Sequence, residues 1–141
     1  MIGVSNTIAL YVHIPFCRRK CNYCSFVSYE RRQNDIPVYL MALKAELVQR
    51  ANGKSVGSIY FGGGTPSLLS AEQLGGLVAT IRSLFDVDKT SEITIEANPG
   101  TVDKAYLTAI RSLGINRLSL GIQSLKEDEL NAPLFPWRGP A

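Results

Sequence analysis

The sequence predicts an α/β fold built on a parallel sheet. Two observations predict it. Short apolar segments of strand character alternate with segments of helical periodicity, in the order β-α-β-α-β-α-β-α. Such alternation gives parallel strands joined by right-handed crossovers. Capping and turn signals fall between these segments rather than inside them. A doubly wound sheet and a barrel both satisfy the pattern.

The elements follow in order. Ile8 to Ile14 (IALYVHI) reads as a strand, and a cysteine-bearing loop follows it. From Ile36 to Arg50 the apolar residues Ile36, Leu40, Leu43 and Leu47 recur at helical spacing. Asn34 or Asp35 is placed to cap that helix, and Pro37 suits its first turn. Ser58 to Phe61 is a short strand that runs into three glycines. Ser70 and Gln73 form a capping box, which opens a helix with Leu74, Leu77, Val78, Ile81 and Leu84 on its apolar face. Glu92 to Asn98 alternates with period two and reads as a strand. A helix is expected over 102–113, with Gly114 at its C′ position. Asn116 to Gln123 is a fourth strand, and Ser124 with Glu127 signals a fourth helix. Residues 131–141 (NAPLFPWRGPA) break the pattern, with three of the chain's seven prolines. Pro133 is expected to stop the last helix. The domain reading is therefore a core over 1–130 and an atypical Pro-rich tail over 131–141.

Composition bounds the function. Of 141 residues, 45% are apolar and 19% charged, values of a globular chain and not of a disordered one. No apolar run reaches the roughly 18 residues a membrane helix needs. No signal or transit pattern is visible, so a cytoplasmic protein without a stable membrane anchor is expected. Fifteen basic against twelve acidic residues give +3, too small to suggest a nucleic-acid partner. The three cysteines fall within eight residues, an odd and tight set that suits a metal or cluster site better than a disulfide framework.

Four motifs carry chemistry. The first is Cys17-Arg-Arg-Lys-Cys21-Asn-Tyr-Cys24. Three thiolates on one loop can hold three irons of a 4Fe–4S cluster and leave the fourth open to a small molecule. The same residues, with His13 as a fourth ligand, would also make a zinc site. The second is Gly62-Gly63-Gly64-Thr65-Pro66-Ser67 directly after a strand, where a tight turn or a close ligand contact is expected. It lacks the lysine and spacing of a phosphate loop. The third is Glu96-Ala-Asn-Pro-Gly100, an acidic residue in an apolar strand, costly unless paired. The fourth is Gln123. With Tyr11 and His13, these polar groups lie near the C-terminal ends of successive strands, where α/β folds bind ligands.

Tyr11-Val-His-Ile-Pro-Phe-Cys17 with C-x3-C-x2-C, then GGGTPS, EANP and NRLSLGIQS, resembles the radical S-adenosylmethionine (SAM) superfamily. Within it, the chain is similar to the branch of oxygen-independent coproporphyrinogen III oxidases and HemW-type heme chaperones. The resemblance spans residues 8 to 130. It implies the N-terminal part of a partial (β/α)6 TIM-type barrel, with four strands and three to four helices. It also implies that Cys17, Cys21 and Cys24 ligate a 4Fe–4S cluster whose free iron takes the SAM amino and carboxylate groups. The backbone of Gly62, Gly63, Gly64 and Thr65 would hold the SAM amino group. Tyr11 would sit by the sulfonium, Tyr23 would pack on adenine, and Glu96 and Gln123 would contact the SAM amino acid or ribose. One electron would then cleave SAM to methionine and a 5′-deoxyadenosyl radical. Heme or porphyrin and an electron donor are the further partners implied.

The chain departs from the branch in three ways. The oxidases carry a further cysteine where this chain has Phe26, which points to the HemW side. The family continues past its Gln motif with a Gly-Arg-x-His-like stretch, which NAPLFPWRGPA does not match. The remaining barrel units and the C-terminal domain have no counterpart, so a truncated or frame-shifted product that positions the cysteine loop but binds SAM weakly is the expectation.

Overall fold

The computed structural model describes residues 7–51 and 53–130. The expected tail at 131–141 and the stop at Pro133 lie outside them. The elements run β1 (Thr7–Ile14), β2 (Phe16–Cys17), β3 (Tyr29–Glu30), α1 (Ile36–Arg50), β4 (Ser55–Gly63), α2 (Ala71–Leu84), β5 (Asp86–Ala97), α3 (Lys104–Ser112), β6 (Arg117–Leu120) and α4 (Glu127–Leu130), with three short 3-10 turns between them. Four strands form one sheet in the order β1-β4-β5-β6, every pairing parallel. β2 and β3 make a separate two-residue parallel pair.

Alternation along the strands sorts the two faces of the sheet. Val12, Ile14, Ile59, Phe61, Ile93 and Ile95 are buried and join Leu40 and Leu47 of α1 and Leu74, Leu77, Val78 and Ile81 of α2 in one core. At roughly 1.5–3 kcal/mol per buried aliphatic or aromatic side chain, this face holds the fold together. The opposite face carries Tyr11, His13, Tyr60, Glu96 and Ser119. Tyr11 lies opposite Tyr60, and Glu96 opposite Ser119.

The expected capping box at Ser70 is present in both directions: Ser70 Oγ accepts from Gln73 N, and Gln73 Oε1 accepts from Ser70 N. Gly114 holds φ +95 at the end of α3, as the C′ position requires. Several elements differ from expectation. Asp35 stands at the N-cap of α1, but its carboxylate pairs with Arg32 at 2.5 Å instead of capping. α3 starts at Lys104 because Asp103 Oδ1 accepts from Tyr106 N at 2.7 Å and makes Asp103 the cap. β4 and β5 both begin earlier than expected. Ser55 pairs with Asp86 before the register breaks near Gly57. The turn-forming residues Asp88 to Thr90 hide this first stretch of β5 from period-two reading. β6 ends at Leu120, so Gln123 lies beyond the strand, in a left-handed conformation of φ +66. Ser124 accepts from Lys126 N and donates to Glu129 ahead of α4.

Leu77 is fully buried at the centre of α2. Leu77→Ala should cost about 2–5 kcal/mol of unfolding free energy, while Met41→Ala on the exposed side of α1 should stay within about 0.5 kcal/mol. Denaturant titration of the two variants checks this. Tyr106 donates to the Leu69 carbonyl at 3.0 Å, and burial pushes its phenol up to about 12. An unfolded tyrosine titrates near pH 10. The stabilisation is therefore fully present below about pH 10 and is lost as pH rises through about 12. Tyr106→Phe should flatten that alkaline fall in a stability-versus-pH series.

Candidate metal and cofactor site

The site begins where β1 ends. Beyond Ile14 the chain continues into β2, and the glycine loop after β4 runs alongside it. Gly64 N donates to Ile14 O at 2.9 Å, and Thr65 N donates to Phe16 O at 2.7 Å. A Cβ on Gly64 would meet the Phe16 carbonyl at 2.7 Å, backbone against backbone. Gly63 has φ +115, and a Cβ there would lie 2.5 Å from the His13 ring. Two of the three glycines are thus required by the protein's own packing. On its other side β2 pairs with β3, Cys17 opposite Glu30, and Arg31 N donates to Cys17 O. Phe16 packs edge-on against Tyr39 of α1, whose hydroxyl donates to His13 O at 2.6 Å. These contacts fix Cys17 at the C-terminal edge of the sheet. The loop then turns back, with Cys24 N donating to Cys21 O at 3.0 Å. All three cysteines are free thiols.

One cavity of about 260 Å³ gathers most of the candidate residues: Cys17, Cys21, Cys24, Tyr23, Gly63, Gly64, Thr65, Glu96 and Gln123 all line it, together with Phe26, Asn98 and Ser119. A second cavity of about 220 Å³ continues from it and shares Cys21, Tyr23, Asn98 and Gln123, with Pro99, Ile122 and Leu130 adding apolar surface. Thiols form one wall, and a carboxylate, amides and backbone form the other.

Glu96 is held at both oxygens: Tyr60 Oη donates to Oε1 at 2.7 Å, and Gly63 N donates to Oε2 at 3.1 Å. This answers the cost of a carboxylate in an apolar strand. The Glu96 hydrogen bond is the main cause that raises the Tyr60 phenol, with burial adding to it. Burial, then contact with Cys21, pushes the Tyr23 phenol up to about 12.

Tyr11 and Gly62 do not line the cavity. Tyr11 stacks on Tyr60 at 6.0 Å, and its ring would touch a Cβ placed on Gly62. Both stand one layer below the cavity. His13 is turned away from the thiols. The Val27 carbonyl can only accept, so His13 Nε2 carries the proton of that 2.8 Å bond, and Nδ1 accepts from Tyr11 Oη at 3.1 Å. Both ring nitrogens are engaged, which argues against His13 as a fourth zinc ligand. Among the described residues no three His, Cys, Asp or Glu side chains converge on one point as a single-ion site needs. Tyr60 and Asn98 are site residues that sequence reasoning missed. Tyr60 could have been found from its strand parity, two residues before Gly62 on the same face.

A sequence model described as the Radical SAM superfamily matches residues 11–137. The chain belongs to the radical SAM superfamily. A relative from Haemophilus influenzae, described as heme chaperone HemW, is 42% identical over 132 residues, covering 87% of this chain and 34% of that protein. A bovine relative, radical S-adenosyl methionine domain-containing protein 1, mitochondrial, is 38% identical over 129 residues, 89% of this chain and 29% of that protein. Among solved structures, coproporphyrinogen III oxidase (HemN) from Escherichia coli, a radical SAM enzyme, superposes with TM-score 0.85 at 34% identity over 92% of this chain and 31% of that one. The expected α/β barrel portion is therefore present, and the chain spans about a third of the length of the relatives it matches. Radical SAM membership implies SAM and an iron–sulfur cluster as cofactors. The residues fit such a group, since the donors on the metal-facing wall are all thiols.

Gly64→Ala should displace β2 from the glycine loop, with an overpacking cost of about 1–3 kcal/mol. Its signature is reduced iron loading together with a lowered Tm, measured on the same preparation.

Proposed function

We propose that this chain holds a 4Fe–4S cluster on Cys17, Cys21 and Cys24, binds SAM beside it, and serves heme or porphyrin metabolism in the manner of HemW-type heme chaperones. The observation that supports this most is the shared cavity. Three thiols, the glycine loop, Glu96 and Gln123 line one cavity at the C-terminal ends of parallel strands. When bound, the cluster supplies a low-potential electron and an open iron for the SAM amino acid group.

The residues divide the remaining work. The N–H groups of Gly63, Gly64 and Thr65 are already donated to Glu96, Ile14 and Phe16. What this loop can offer is carbonyl oxygen, an acceptor suited to an ammonium group. Gln123, exposed at the cavity rim, supplies an amide for polar groups of the ligand. Tyr23, half-exposed next to Cys21 and Cys24, presents a ring face for stacking the adenine. Tyr11, by way of Tyr60, backs the layer that holds Glu96. The further partners in this reading are heme or porphyrin and a one-electron donor. Three unpaired thiols suit a reducing compartment, so the cytoplasm is proposed. No helix among the described residues is long and apolar enough to cross a membrane.

Oxygen-independent coproporphyrinogen oxidation is the second reading, favoured by the structural match. Phe26 weighs against it: the ring stands 65% exposed at the same cavity, where the oxidases place a further thiol.

Anaerobic reconstitution with iron and sulfide tests the reading. A brown protein with about four irons per chain is expected, and each of Cys17→Ala, Cys21→Ala and Cys24→Ala should lose most of that iron. A colourless chain carrying stoichiometric zinc would contradict it.

A further inference from the structure

Cys17 differs from the other two cysteines. It is only 8% exposed, and its sulfur has a hydroxyl aimed at it: Thr65 Oγ1 lies 3.7 Å from Cys17 Sγ, within the range of a sulfur hydrogen bond. Thr65 is itself 4% exposed, and its backbone is pinned by the bond from its N–H to Phe16 O.

The direction of the Thr65 hydrogen follows from its other neighbour. Asn98, in the turn after β5, accepts from the Thr101 N–H through its backbone carbonyl at 2.9 Å, which leaves its side chain to other partners. Its Nδ2 faces Thr65 Oγ1 at 3.3 Å and can only donate. A hydroxyl has a single hydrogen. With its oxygen already accepting from Asn98, Thr65 is left to donate toward Cys17 Sγ. The chain Asn98 to Thr65 and Thr65 to Cys17 is therefore polarised in one sense, ending on sulfur.

We propose that Thr65, aimed by Asn98, is a positioning residue that donates a hydrogen bond to the Cys17 sulfur and raises the reduction potential of the cluster that this sulfur ligates. The inference rests on the cluster reading above. A donor to a ligating thiolate withdraws electron density from it and favours the reduced, more negative state of the cluster. Cys21 has a side-chain hydrogen bond with Tyr23, whose ring is half-exposed, whereas the donor at Cys17 is buried.

The test is a spectroelectrochemical titration of the reconstituted chain and three variants, with no turnover required. Thr65→Val keeps the shape and removes the hydrogen; its potential should shift to more negative values. Thr65→Ser restores the donor and should return the potential toward that of the parent. Asn98→Ala leaves the hydroxyl but frees its rotor; it should give a smaller shift in the same direction, and it carries the test if Thr65→Val does not load. Equal potentials in all loaded proteins would overturn the inference while leaving the cluster reading intact. Failure of the parent chain to take up any cluster would instead overturn the cluster reading.

Discussion

The geometry of this protein depends on the seam where the glycine loop lies against the chain leaving β1. Two backbone hydrogen bonds, Gly64 N to Ile14 O and Thr65 N to Phe16 O, carry strand-like pairing past the end of β1 and into β2. The seam closes only because Gly64 has no Cβ to meet the Phe16 carbonyl. Buried backbone groups must be paired, and here the pairing also sets position. It holds Cys17 against the hydroxyl of Thr65 and starts the cysteine loop over the ends of the strands. Without the seam, the thiols would hang on a tether instead of facing Glu96 and Gln123 across a cavity.

The polar face of the sheet is the second layer of the same arrangement. Tyr11 stacks on Tyr60, Tyr60 donates to Glu96, and Glu96 accepts from the glycine loop. A carboxylate that would be costly if unpaired in an apolar strand becomes a clamp joining β4 to β5. The core on the other face supplies most of the stability, while this network sets where the backbone of the loop sits. Stability and site geometry thus reside on opposite sides of one four-stranded sheet.

Much of this was legible in the sequence. The β-α order, the Ser70 box and the apolar face of α2 are local patterns, and each appears in the fold as read. The early part of β5 was not legible, because Asp88 to Thr90 looks like a turn and lies in the register break between the Val56–Val87 and Ser58–Glu92 pairs. The three glycines read as a ligand contact, yet Gly63 and Gly64 are first of all answers to crowding by His13 and Phe16. Its place near the end of β1 grouped Tyr11 with the site, but its ring stacks on Tyr60 and does not line the cavity. Asn98 and Thr65 could not be joined by reading, since their contact crosses from the end of β5 to the loop after β4.

The central claim is that three thiols leave one iron open to SAM. Electron paramagnetic resonance of the reduced, reconstituted chain, recorded with and without excess SAM, tests it most directly. A cluster with an open iron should show a changed signal when SAM is added, and the change should be lost in Glu96→Ala if the clamp holds the loop that receives SAM. A cluster signal unaltered by SAM at any concentration would contradict the account.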